Sequence, residues 1–228
     1  MNADSTTRLV TIDLFTALLD SRRGATAALA EFAGDYGWPA EAVSKLYKDW
    51  DAGNKALHVQ SVEWVPFREL SAEAMADALT RLGLSGDPRV VSDRLLGSVD
   101  RWPLWPDVDE GLAALRNVAT VGVLSNVDDD IYERTVVAAR LGMSYALTSE
   151  RLRAYKPHRA IYRAARELAP ASYFHVAASQ RDVQGAAAAG VPTIRLVRSG
   201  ISVDDRNIEL LARVDQLADV ARYVQPQA

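Results

Sequence analysis

The sequence predicts an α/β protein built on a parallel β-sheet with helices on both faces and a helical insertion after the first strand. Three observations carry this. Short apolar runs recur at 8–13, 118–125, 145–148, 173–178 and 192–197, the continuous kind expected of strands covered on both sides. Helical patterns near 107–116, 128–142, 157–168 and 180–190 alternate with them, and strand–helix alternation calls for right-handed crossovers between parallel strands. The segment from 21 to 104 has no strand pattern at all.

The first strand leads into "LVTIDLFTALLD", residues 9–20, an apolar run interrupted by one carboxylate, Asp13. The insertion that follows reads as four helices near 23–36, 40–58, 61–82 and 88–98, separated by turn or cap signals at Gly37–Pro39, His58–Ser61 and Gly83–Pro88. It divides the chain into a core of 1–20 and 105–228 and a helical domain of 21–104. All five tryptophans, Trp38, Trp50, Trp64, Trp102 and Trp105, lie in the insertion or at its exit. Aromatic burial dominates small helical cores, so most are expected to pack the insertion and one or two to line a pocket against the sheet. A last helix is expected near 213–223, and the tail 224–228 is expected to fray.

With 228 residues, 49% of them hydrophobic, the chain can bury one sizeable core with a smaller domain inserted in it. The net charge of -4 is spread without a basic tail or stripe, which disfavours nucleic acid and anionic membranes as partners and points to small molecules. Cysteine is absent, so disulfides, thiolate metal sites and thiol nucleophiles are excluded. No run approaches the roughly 20 apolar residues of a membrane span, and "MNADSTTR" has no apolar stretch of signal-peptide length; a cytoplasmic protein is expected. Only Lys45, Lys48, Lys55 and Lys156 are lysine, the rest of the 26 basic residues being arginine, so each lysine stands out against the compositional drift.

In an open parallel sheet the ligand site lies outside the carboxyl ends of the strands. The first strand ends in Asp13 and the second in Ser125-Asn126; Lys156 stands before Pro157, which is expected to start a helix; the strand at 173–178 runs into Ser179 and Asp182. Each has a structural reading of its own. Asp13 suits a helix cap, Ser125 and Asn126 suit a turn, Lys156 suits solvent, and Asp182 suits the first turn of a helix. Together they place a carboxylate, a hydroxyl–amide pair, a lysine and a second carboxylate in one cleft.

This order and spacing resemble the haloacid dehalogenase superfamily over essentially the whole chain. "TIDLFTALLD" (11–20), "VGVLSN" (121–126), "YKP" (155–157) and "VAASQRDVQGAAAAGVP" (176–192) are similar to its four motifs in turn, and the insertion to its helical cap domain. The resemblance implies a Rossmann-like core and Asp13 as nucleophile. The superfamily's phosphatases carry an acid two residues after the nucleophile, where this chain has Phe15, and an acidic magnesium ligand where it has Ala178. Asp128, Asp129 and Asp130 are the available replacement ligands, but read more simply as a helix cap and first turn.

Phe15 instead resembles the aromatic residue of the metal-independent 2-haloacid dehalogenases. That resemblance implies no cofactor and no metal: Asp13 displaces halide to form an ester, and water hydrolyses it. Lys156 would neutralise and position Asp13, Ser125 and Asn126 would hold the substrate carboxylate, and Asp182 would orient or activate water. Lys48 in "SKLYKDW" (44–50) would receive halide, Tyr162 matches an active-site tyrosine, and Phe15 and Ser179 complete the expected substrate-binding residues. A homodimer formed through the cap is implied by the resemblance alone. Two departures stand out. Thr16-Ala17 replaces Gly-Thr after the aromatic, so the threonine that steadies the nucleophile is absent or displaced by one residue, and Ala177-Ala178-Ser179 replaces Ser-Ser-Asn. The open readings are a dehalogenase, the same scaffold turned to ring opening, ring closure or isomerisation, a magnesium-dependent phosphatase, and a binding protein without turnover.

Overall fold

The computed structural model describes residues 8–169 and 171–225. Its sheet has six parallel strands: β1 (Arg8–Ile12), β2 (Thr120–Ser125), β3 (Ala146–Thr148), β4 (Ser172–Ala177), β5 (Thr193–Leu196) and β6 (Ala212–Val214), in the order β3-β2-β1-β4-β5-β6. Alternate side chains feed two separate cores. Val10, Ile12, Val121 and Val123 join the larger one with Leu112 and Leu115 of α5 (Val108–Arg116), while Leu9, Leu124 and Tyr173 pack with Ile161 of α9 (Arg159–Glu167) and Ala186 of α10 (Gln180–Ala188). This period-two split explains why the strands read as unbroken apolar runs. The chain order reverses between β1 and β4, which makes their carboxyl ends the switch point where ligands bind in Rossmann-like sheets.

Three expectations need correction. The helix expected near 213–223 is instead β6, a 3-10 turn (Leu217–Val220) and the short α11 (Ala221–Val224); three residues with one buried are too few to show a strand period. The helix expected over 128–142 breaks into α6 (Asp129–Glu133) and α7 (Ala138–Leu141). Thr135 interrupts it, its hydroxyl donating to the Tyr132 carbonyl (2.8 Å) and accepting from the Ala138 N–H (3.2 Å), the local competition that makes threonine a poor helix interior. Pro157 does not start α9, which begins at Arg159 after the cis Lys156–Pro157 bond; the Lys156 backbone is held instead by the Asn126 carboxamide. The expectations for residues 1–7 and for the tail from 226 onward lie outside the described residues.

The insertion comprises α1 (Ser21–Tyr36), α2 (Ala40–Gln60), α3 (Phe67–Leu82) and α4 (Pro88–Gly97). Asp20 and Asp87 cap α1 and α4 through their carboxylates, while Gly37 and Gly83 end α1 and α3 at φ of 66° and 63°, a conformation glycine adopts without steric cost. Gly24 lets α1 lie on the exit segment, because a Cβ there would stand 2.5 Å from Trp102 Cγ. Helix α3 starts six residues later than the pattern suggested: Ser61–Pro66 is non-helical and leads into a proline N-cap without a side-chain bond. The missing cap comes from the core. Asp128, buried after β2, accepts the N–H groups of Phe67 (2.8 Å) and Arg68 (3.1 Å), tying the insertion to the sheet. Among the described residues no helix is long and apolar enough to cross a membrane.

Asp128→Ala should therefore lower unfolding stability by about 1–2 kcal/mol, the range for a lost N-cap carboxylate, whereas Asp128→Asn should retain much of it. Urea denaturation checks this; equal stability of all three proteins would show that Asp128 does not hold α3.

Candidate active site

Asp13 follows β1, its own N–H donating to the Val176 carbonyl (3.0 Å) and so fixing it between the two central strands. It caps a single π-helical turn, Leu14–Leu18, its Oδ2 accepting the Thr16 N–H at 3.0 Å. Thr16 thus supports the carboxylate through its backbone. The turn is braced from outside, Trp105 Nε1 donating to the Thr16 carbonyl (3.1 Å) and the Arg198 guanidinium to that of Ala17 (2.7 and 3.0 Å). Phe15 leaves the turn toward the insertion, with ring centroids 6.0 Å from Phe67 and 5.8 Å from Trp102.

Lys156 Nζ lies 2.6 Å from Asp13 Oδ1, 2.8 Å from Asp182 Oδ2 and 2.8 Å from the Leu124 carbonyl. All three of its protons are used. Burial alone would push the lysine pKa down, but the charges of Asp13 and Asp182 outweigh it and the net shift is upward, so Lys156 is a buried ammonium. Asp182 shows the mirror image: burial would raise its pKa, and the charge of Lys156 with the His175 contact pulls it below the usual carboxylate range.

The other oxygen of Asp182, Oδ1, accepts from Tyr162 Oη (2.8 Å) and pairs with His175 Nε2 (3.0 Å). His175 Nδ1 meets Thr11 Oγ1 (2.9 Å), and Thr11 meets Tyr173 Oη (2.8 Å). A buried polar chain therefore runs back from the cleft between β1 and β4. Thr11 and His175 are directly paired across these strands; in the sequence each shows only as a single polar residue inside an apolar run, and the register is what joins them. Gly185 makes room for it, since a Cβ there would stand 2.7 Å from Tyr162 Oη and 2.8 Å from Pro157 Cβ.

A cavity of about 620 Å³ opens between the sheet and the insertion, with Asp13, Phe15, Ser125, Asn126, Lys156, Ser179 and Asp182 on its wall. Ser125 is buried, its hydroxyl without a partner among the described residues. Ser179 is half-buried at the start of α10, and Lys48 reaches the mouth from α2 as an exposed side chain. Two expected substrate contacts need correction. Tyr162 is fully buried, is absent from the wall and holds Asp182 from behind. The Asn126 carboxamide lies on the wall but is already engaged: Oδ1 accepts the Lys156 N–H (2.7 Å), and Nδ2 donates to the Lys156 carbonyl (2.9 Å) and His58 Nδ1 (3.2 Å). Three tryptophans line the cavity, Trp50, Trp102 and Trp105, one more than expected. Sequence reasoning also missed Asn54 and His58, although they continue the buried stripe of Leu46 and Trp50 along α2.

The donors do not fit a magnesium ion, which takes octahedral oxygen ligands rich in carboxylate charge. The ammonium of Lys156 already spans Asp13 and Asp182, Tyr162 and His175 take the remaining Asp182 oxygen, and Phe15 and Ala178 supply no ligand. Asp128, Asp129 and Asp130 bind Phe67 and Arg68, Thr148 and Arg151, and Arg68 respectively, away from the cavity wall. Among the described residues no three His, Cys, Asp or Glu side chains are grouped to hold a metal.

A switch-point cleft with an aspartate after the first strand and a lysine–aspartate pair beside it defines a class, and comparison with known proteins agrees. The family model for haloacid dehalogenase-like hydrolases matches residues 7–190, and the chain belongs to that family of hydrolases. The fold is shared with the L-2-haloacid dehalogenase of Xanthobacter autotrophicus, 21% identical with a TM-score of 0.78 over 97% of this chain and 99% of the other. A structure of the Xanthobacter enzyme with chloropropionic acid covalently bound gives 20% identity and 0.76 over the same shares. A magnesium-bound Bacillus subtilis protein described as a HAD-hydrolase matches as well in fold, at 14% identity and 0.78 over 96% and 99%. No curated protein sequence matches.

Lys156→Met would leave Asp13 and Asp182 as neighbouring buried carboxylates and should cost about 3–5 kcal/mol. The contribution is pH-dependent at both ends. With the Asp182 pKa depressed, its share is present above the unfolded value of about 3.9 and is lost as pH falls through the folded value; with the Lys156 pKa raised, its share is complete below about 10.4 and is lost as pH rises toward the folded value. Urea melts across pH check this, and a variant as stable as the parent at neutral pH would contradict it.

Proposed function

We propose that this hydrolase is a metal-independent enzyme of the 2-haloacid dehalogenase type, acting in the cytoplasm on a small halogenated carboxylic acid. The observation that carries the reading is Asp13 paired with the buried ammonium of Lys156, with Phe15 where a proton donor would otherwise stand. Halide leaves without a proton, so its displacement needs no acid at that position. An alkoxide leaving group would need an acid there.

In this mechanism Asp13 Oδ2, held among the described residues by the Thr16 N–H alone, attacks the halogen-bearing carbon; the carbon–halogen bond breaks and halide departs with its electron pair. The Asp13 ester that forms keeps Oδ1 as its carbonyl oxygen against Lys156. Water then adds to the Asp13 carboxyl carbon, and Lys156 stabilises the charge developing on Oδ1. Collapse returns the Asp13 carboxylate and releases a 2-hydroxy acid and a proton. Asp182, with its pKa held low and both oxygens engaged, orients Lys156. The Ser125 hydroxyl takes the substrate carboxylate, Ser179 lines the water's approach, and Lys48 meets the departing halide at the mouth. Apolar walls from Phe15, Trp50 and Trp102 keep Asp13 poorly solvated, which raises the reactivity of a weak nucleophile. A similar fold with chloropropionic acid covalently bound supports the reading, although the fold alone does not select it, since a magnesium-bound relative matches equally well.

(S)-2-Chloropropionate should release chloride and yield (R)-lactate at undiminished rate with a chelator present. Asp13→Asn should lower that rate by about three orders of magnitude. A folded protein that releases no chloride, or releases it only with a divalent ion, would sink the proposal.

A further inference from the structure

We infer that Asn54 and His58, one turn apart on the inner face of α2, form a second binding subsite for a neutral hydrogen-bonding group, a hydroxyl or a carboxamide, on a substrate longer than a simple 2-haloalkanoate. The inference rests on the proposed function for the position of the reacting carbon and deepens it by naming the substrate class.

Both side chains lie on the cavity wall at 5% exposure, and both carry a buried polar atom without a partner among the described residues, Asn54 Oδ1 and His58 Nε2. Such atoms are costly to leave unmade and signal a missing partner. Their spacing of four residues puts the two side chains next to each other on one face of the helix. The proton on His58 can be assigned. Asn126 Oδ1 accepts the Lys156 N–H, so Asn126 Nδ2 is the donor toward His58 Nδ1; Nδ1 therefore accepts, and the proton sits on Nε2. Burial, followed by the charges of Arg181, Lys156 and Lys55, pushes the His58 pKa down to about 3, and the ring is neutral. It is clamped between Tyr155 (4.5 Å between centroids) and Phe67 (5.5 Å).

The two side chains thus offer an acceptor from Asn54 and a donor from His58, and are themselves uncharged. A group that both donates and accepts satisfies the two together, as a hydroxyl or a carboxamide does and a methyl does not. Cavity size agrees. About 620 Å³ is the room of a drug-sized ligand, and a three-carbon haloacid seated at Asp13 leaves most of it to water.

The test needs no turnover. The intact protein is titrated calorimetrically with halogen-free straight-chain carboxylic acids of increasing length bearing a terminal hydroxyl or carboxamide, each beside the unsubstituted acid of equal length. At the length that spans the cavity, the hydroxy or carboxamide acid should bind about tenfold more tightly than its partner, and Asn54→Leu should erase the difference. Equal binding within every pair, a preference that survives Asn54→Leu, or no binding of any acid would overturn the subsite; the first and last are read on the parent protein and do not depend on the variant folding. Absence of chloride release from 2-chloropropionate with the preference intact would strike the proposed reaction alone, and chloride release without the preference would strike the subsite alone.

Discussion

The buried ammonium of Lys156 joins the ends of the sheet. Its three hydrogen bonds run to Asp13 after β1, to Leu124 in β2 and to Asp182 after β4, while its own backbone is clasped by Asn126 at the end of β2. A charge that deep is tolerable only when paired and fully hydrogen-bonded, and here the pairing does both structural and chemical work. It sets the separation of the carboxylates, holds Asp182 ionised, and leaves Asp13 with a defined face. Remove the ammonium and two like charges would share a dry site, which would shift one of them toward protonation.

The helical insertion completes what the sheet begins. Asp128 reaches from the core to supply the cap α3 lacks, and Tyr155, next to Lys156, donates to the Val65 carbonyl at 2.6 Å. These bonds tie the insertion to the strand ends, and Phe15, Phe67 and His58 form one stacked aromatic wall between the insertion and the sheet. The insertion therefore does two things: it helps to bury Asp13, and it carries polar groups of its own, Asn54 and His58, on the cavity wall.

Much of this was legible in the sequence, for identifiable reasons. The strand-end rule picks out Asp13, Lys156 and Asp182 without knowledge of their contacts, and the structure brings the three together. Periodicity locates five strands because each is buried on both faces; β6, three residues long at the sheet edge, leaves no such trace. What pattern cannot supply is the second partner of a polar side chain. Asn126 and Tyr162 read equally well as substrate contacts, and only coordinates show that one grips Lys156 and the other Asp182. Thr11 and His175 were hidden for a related reason, since single polar residues in apolar strands pass as tolerated exceptions until the register pairs them.

The central claim is that Asp13 itself bonds to substrate carbon, and a single turnover in heavy-oxygen water tests it most directly. With enzyme in excess over (S)-2-chloropropionate, the account predicts ordinary oxygen in the lactate and heavy oxygen in the Asp13 peptide, because water attacks the ester at the Asp13 carboxyl carbon. Heavy oxygen in the lactate of that first turnover, with an unlabelled Asp13 peptide, would mean that water attacks the substrate directly and would contradict it.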